Sequence, residues 1–140
     1  MANSLVTAQI VFDKLPELRG QLRERASERV RKAAYDIEAG AKQRAPVDTG
    51  FLKSSIYTVT DQDSGFDQAD TEAVRINPLL DLLPEVDQPG PLQAIVAVGA
   101  EYGAFVELGT RDMPPRPYLS PAAEAVRPAF TAAMKGLLDD

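Results

Sequence analysis

The chain has no cysteine, no histidine and no tryptophan among its 140 residues. Without cysteine there is no disulfide framework and no thiolate chemistry, which is the composition expected of a protein made in a reducing cytoplasm. Without histidine the commonest metal ligand and the commonest general base near neutral pH are missing. No apolar run approaches the roughly 20 residues that cross a bilayer. Met1-Ala2-Asn3-Ser4 leads straight into an alternating segment, without a basic n-region or an apolar h-region. Nor is there a glycine-rich phosphate loop, a metal-spaced cluster or a Ser/His/Asp set. These absences predict a soluble protein, intracellular when made, with no membrane partner, no cofactor and no metal. The length suits a single domain over residues 1–140 with a sizeable core.

Positive charge is scarce overall, with a net charge of −6, and the imbalance is local. Residues 14–53 hold ten Lys/Arg against six Asp/Glu, whereas residues 61–87 hold eight acidic residues against Arg75 alone. Such polarity can draw copies of a chain together head to tail. From charge alone, a solvated helix face followed by an acidic loop is the favoured reading.

Residues 4–12 alternate, with Val6, Ala8, Ile10 and Phe12 on one face, and predict a half-buried strand. Asp13 and Pro16 then mark a helix start. From there Leu15, Leu18, Leu22, Ala26, Val30, Ala33/Ala34, Ile37 and Ala41 form one apolar stripe along about 30 residues. The helix should end before Pro46. Residues 55–60 and 92–100 read as strands. Between them residues 61–91 form an acidic insertion without sustained periodicity, expected to be mobile until it meets a neighbour. Leu79, Leu80, Leu82 and Leu83 are its candidate anchors. Tyr102, Phe105 and Val106 have helical spacing, and Gly109 sits where a glycine ends such a turn. Four prolines stiffen residues 111–121, and Ser120 with Pro121 predicts the cap and first position of a last helix that Pro128 should kink or split. The fold class expected is α+β: a small, mostly antiparallel sheet packed by one long N-terminal helix and a C-terminal helix.

Asp48-Thr49-Gly50 admits two readings. It is the tripeptide of aspartic proteases, in which two symmetry-related carboxylates share a proton, and Ile95-Val96-Ala97-Val98-Gly99 mimics the second apolar segment of such homodimers. It is also good turn chemistry, with Asp48 or Thr49 able to cap a short helix through Leu52. Pro46 and the preceding basic helix favour the turn. The basic helix itself, with Arg23 and Arg31 among its cations, reads as a solvated face or a subunit interface in preference to a non-specific contact with DNA phosphates, because Glu17, Glu24 and Glu28 dilute its field.

Three motifs in fixed order carry a resemblance. They are Ala45-Pro46-Val47-Asp48-Thr49-Gly50-Phe51-Leu52 running on to Ser55-Ile56, Tyr102-Gly103-Ala104-Phe105-Val106-Glu107-Leu108-Gly109-Thr110, and Met113-Pro114-Pro115-Arg116-Pro117-Tyr118-Leu119-Ser120-Pro121-Ala122. Together they resemble the tail-completion (neck) proteins of long-tailed bacteriophages. The resemblance implies a non-enzymatic virion component, assembled in the host cytoplasm, that forms a homo-oligomeric ring, six-fold, where head joins tail. It implies as partners a head-closure protein, the tail terminator or the tail tube, with packaged DNA passing close by. A tail-terminator ring is the nearest alternative, a small homodimeric aspartic protease the alternative of another class, and an unrelated cytoplasmic adaptor the third. For assembly the candidate residues are Met113, Arg116 and Tyr118 on the arm, Glu107 and Arg111 around Gly109-Thr110, Arg23 and Arg31 on the helix, and the four leucines of the insertion. Arg116 and Tyr118 are residue types enriched at binding hot spots, and prolines reduce the entropy lost on docking. For Tyr118 and Leu119 a clamp onto their own core is the favoured reading.

Overall fold

The computed structural model describes residues 2–46, 50–69 and 87–138, with side chains described from residue 17 to residue 137 within those spans. Helix α1 is a single rod over Ala2–Arg44, about 64 Å long at 1.5 Å per residue. The strand expected over residues 4–12 is therefore helix, and no new start occurs at Asp13–Pro16. A strand needs a partner, and the sheet takes none of its strands from this segment. In a helix each interior N–H instead meets a carbonyl four residues back. The predicted end before Pro46 holds.

The predicted stripe is buried over only part of its length. Ala26, Ala34 and Ala41 are buried and Val30 and Ile37 half-buried, but Leu18 is 51% exposed. Helix α2 (Phe51–Ser54) is one turn that starts from Gly50 at φ 74°, a left-handed conformation that glycine adopts without a Cβ penalty. Gly50 is its N-terminal flanking residue; Asp48 and Thr49, the expected caps, lie outside the described residues.

Strands β1 (Ile56–Val59) and β2 (Ile95–Val98) pair antiparallel, Ile56 opposite Val98 and Val59 opposite Ile95. Both strands fall within the predicted spans. Val59 bridges back to Ser64, a 3₁₀ turn follows at Phe66–Gln68, and the Phe66 ring meets Tyr57 edge-on at 5.6 Å. The flanks of the acidic insertion are thus structured. The Gln88 amide also donates to the carbonyls of Thr60 (3.2 Å) and Asp61 (2.9 Å), and Ser27 Oγ donates to the Pro91 carbonyl. Leu79, Leu80, Leu82, Leu83 and the predicted mobility of the segment lie outside the described residues.

Helix α3 (Gly103–Leu108) ends at Gly109, φ 77°, as its sequence predicts. A Cβ there would stand 2.8 Å from Pro115 N, so glycine is needed for space as well as for its backbone angle. Helix α4 (Leu119–Lys135) begins earlier than expected. Ser120 and Pro121 are its second and third residues rather than its cap, in a first turn where a missing N–H costs no intrahelical bond. Pro128 does not split α4, whose two halves both lie against α1: Ala122 beside Gly40, and Ala133 O bonded by Arg29.

The core gathers Ala41, Ala45, Leu52, Ile56, Tyr118 and Ala122. Small residues set how closely the helices approach. A Cβ on Gly40 would lie 3.3 Å from the Ala122 Cβ, so the backbones of α1 and α4 come together there.

Candidate assembly surface

α3 is followed by ten residues that fold back over it before α4 begins. Thr110 and Met113 pair in a tight bridge, and the Arg116 N–H then donates to the Val106 carbonyl at 2.8 Å. This places Tyr118 beneath α3. Its side chain is 1% exposed and its hydroxyl donates to the Gly103 carbonyl at 3.0 Å. Gly103 is glycine because of that approach: a Cβ would sit 2.8 Å from the Tyr118 oxygen and 2.7 Å from Val98 Cγ1.

Glu107 closes the junction. Its Oε2 accepts from the backbone N–H of Tyr118 (2.8 Å) and Leu119 (2.9 Å), and its Oε1 accepts from Ser120 N–H (2.8 Å). The first turn of any helix presents N–H groups without internal partners. In α4 a carboxylate from another helix supplies what an adjacent cap would otherwise provide. Burial pushes the Glu107 carboxyl up, but the hydrogen bonds from Leu119, Ser120 and Tyr118 outweigh it and hold it below its ordinary value. Burial, then the negative charge of Glu107 and the neighbouring Tyr102, push the Tyr118 hydroxyl up to about 12.

Among the residues singled out from sequence, Glu107 and Tyr118 meet each other inside one chain. Met113 is half-buried, and Arg111 and Arg116 are exposed on the outer side of the same junction. Arg31 lies well away from it: its guanidinium bonds Asp61 at 3.1 Å and Glu24 at 3.2 Å, tying α1 to the end of β1. Arg23 is exposed on α1.

Sequence reasoning passed over the two most exposed large apolar side chains, Leu108 at 77% and Phe105 at 57%. Helical spacing groups Phe105 with Tyr102 and Val106 but gives no outward face, and it assigns Leu108 no role. The inner face is taken by Gly103, which contacts Val98 and Tyr118, and by Val106, which packs against the core. Phe105 and Leu108 are thereby turned outward.

The protease reading needs an apolar strand leading into Asp48. Residues up to Arg44 are helical, and helix resumes at Phe51. Among the described residues no cluster of acidic side chains is placed to hold a metal, and no helix is long and apolar enough to cross a membrane.

The described residues thus form a small α+β module in which Glu107 and Tyr118 join its own elements while Phe105 and Leu108 stay exposed. Residues 11–109 match the family described as "Bacteriophage HK97-gp10, putative tail-component", and the chain belongs to that family of phage tail components. No curated protein and no solved structure matches the chain.

Proposed function

We propose that the chain is a non-enzymatic ring component of the phage neck, with six copies closing where head meets tail and completing the tail for joining. Its partners in this reading are further copies of itself, a head-closure protein above and the tail terminator or tube below. It works in the virion after assembly in the host cytoplasm, and packaged DNA passes close to its basic helix.

What carries the reading is family membership over residues 11–109, combined with a junction that commits Glu107 and Tyr118 inward while Phe105 and Leu108 stay outward. Large exposed apolar side chains on a rigidly held helix are a feature of protein–protein contacts. A tail protein meets other proteins by definition of its place.

Cryo-electron microscopy of the virion neck, together with infection by phage lacking the gene, tests it. The expected result is several copies around the tail axis in the wild type, and finished heads and tails left unjoined in the deletion. Density confined to the last ring of the tail tube would reassign the chain as a terminator. Absence from the particle, or a single copy off the axis, would overturn the reading.

A further inference from the structure

The two ends of the strand pair differ in the charge around them, and both carry exposed apolar side chains. α1 provides the axis. Its end at Arg44 leads into α2 and the start of β1, whereas Arg31 reaches Asp61 at the other end of β1 and Ser27 reaches Pro91 just before β2. Along the helix Arg31 and Ser27 lie about 20 and 26 Å from that end.

At the far end Asp63, Asp67 and Asp87 are exposed, and among the described residues none of them forms an ion pair. Asp61 alone is neutralised, by Arg31. Leu92, 48% exposed, stands beside them on the turn that carries Pro91. α1 adds little net charge here, because Arg19, Arg23, Arg25 and Arg29 alternate with Glu17, Glu24 and Glu28.

At the near end Arg44, Lys53 and Arg111 are exposed, as are Phe105 and Leu108. Glu101 and Asp112 only partly offset them, and the Glu107 charge is turned inward onto the N–H groups of α4.

Like ends repel and unlike ends attract, so neither face suits a two-fold contact with itself. We propose that the face of α3 and the proline arm, centred on Phe105, Leu108 and Arg111, docks on the acidic turn of a second copy, with Leu108 set against Leu92 and the arginine against Asp63 and Asp67. This rests on the ring reading above and names the surfaces that would close the ring. One copy's near end meets the next copy's far end, and a rotation at each contact brings the last copy back to the first.

The absence of cysteine makes the contact directly testable. Two variants of the full chain, Leu108→Cys and Leu92→Cys, each alter an exposed side chain, and matching circular-dichroism melts establish that both fold. Mixed in equal amounts at low salt under a mild oxidant, they should give the 108–92 disulfide in about tenfold excess over the 108–108 and 92–92 products, since a heterologous contact brings only unlike positions together. Raising salt to about 0.5 M should cut that excess several-fold, because exposed charges are screened within a few ångströms. Adding Arg111→Glu to the Leu108→Cys chain should remove most of it. A statistical mixture of the three products, or a dominant 108–108 product, overturns the proposed surface. The ring reading fails separately, on the copy number in the virion neck.

Discussion

The two ends of α4 are held to the rest of the chain by different physics. At its start a few polar bonds of defined geometry do the holding: three backbone N–H groups on the Glu107 carboxylate, and a buried Tyr118 whose hydroxyl meets Gly103 O. Toward its end the contacts are chiefly apolar and loose. Val126 and Phe130 are half-buried and, with Val30, Ala33, Ile37 and Val96, line an open groove of about 380 Å³. Arg29 reaches from α1 to the carbonyl of Ala133. The first kind of contact fixes one arrangement, because each donor has a single acceptor in place. The second tolerates adjustment, because apolar attraction has no direction. It follows that the start of α4, which also carries the α3–arm surface, should be the less forgiving end.

The largest effect is expected at Tyr118. Tyr118→Ala removes a side chain that is 1% exposed together with its hydrogen bond to Gly103 O, so it should cost about 3–5 kcal/mol, read by chemical denaturation. A loss no greater than that of a surface substitution would break the contrast between the two ends. Tyr118→Phe keeps the volume and isolates the hydroxyl. Because the folded-state value is raised to about 12, the hydroxyl's contribution is complete below its unfolded value, about 10, and fades as pH climbs towards 12. The wild type should therefore lose stability faster than Tyr118→Phe over that alkaline window.

An intermediate effect is expected at Glu107. Glu107→Gln retains one acceptor oxygen but places an amide group against N–H donors, for a cost of about 1–2 kcal/mol at neutral pH. The folded carboxyl is held below its ordinary value. Its contribution is thus fully present above the unfolded value, about 4.3, and is lost as pH falls through the folded value. Melting curves of wild type and variant should differ most above about pH 5 and converge in acid. A difference independent of pH would mean that packing, and not the charge-assisted cap, is what Glu107 supplies.

The smallest effect belongs to the groove. Val126→Ala removes two methyl groups from a half-buried position on an already open surface, so about 1 kcal/mol or less is expected, because little new cavity is created. A loss comparable to that of Tyr118→Ala would show the loose end to be as tightly specified as the other.

Much of the architecture was legible in residues 17–60 and 93–135. Alternation at Ile56, Tyr57 and Val59 and the apolar run Ile95-Val96-Ala97-Val98 announced both strands, and glycine at 109 announced the end of α3. Local signals were enough there because period, β-branching and backbone freedom are properties of neighbouring residues. Three short motifs in order likewise pointed to a phage tail component. The N-terminal segment misled because alternation implies a strand only where a neighbouring strand completes its hydrogen bonds. Ser120 misled because a helix start is capped by whatever acceptor reaches it, and here that acceptor is Glu107, more than ten residues away along the chain. Which side of α3 faces outward was decided the same way. Gly103 and Val106 face the body because Tyr118 and β2 wait there, leaving Phe105 and Leu108 in solvent. Sequence alone determined the element types beyond the N-terminal segment and the family. Pairing between distant residues, and with it the face the protein shows to a partner, was decided by tertiary structure, because such contacts depend on how elements meet and not on what each one is.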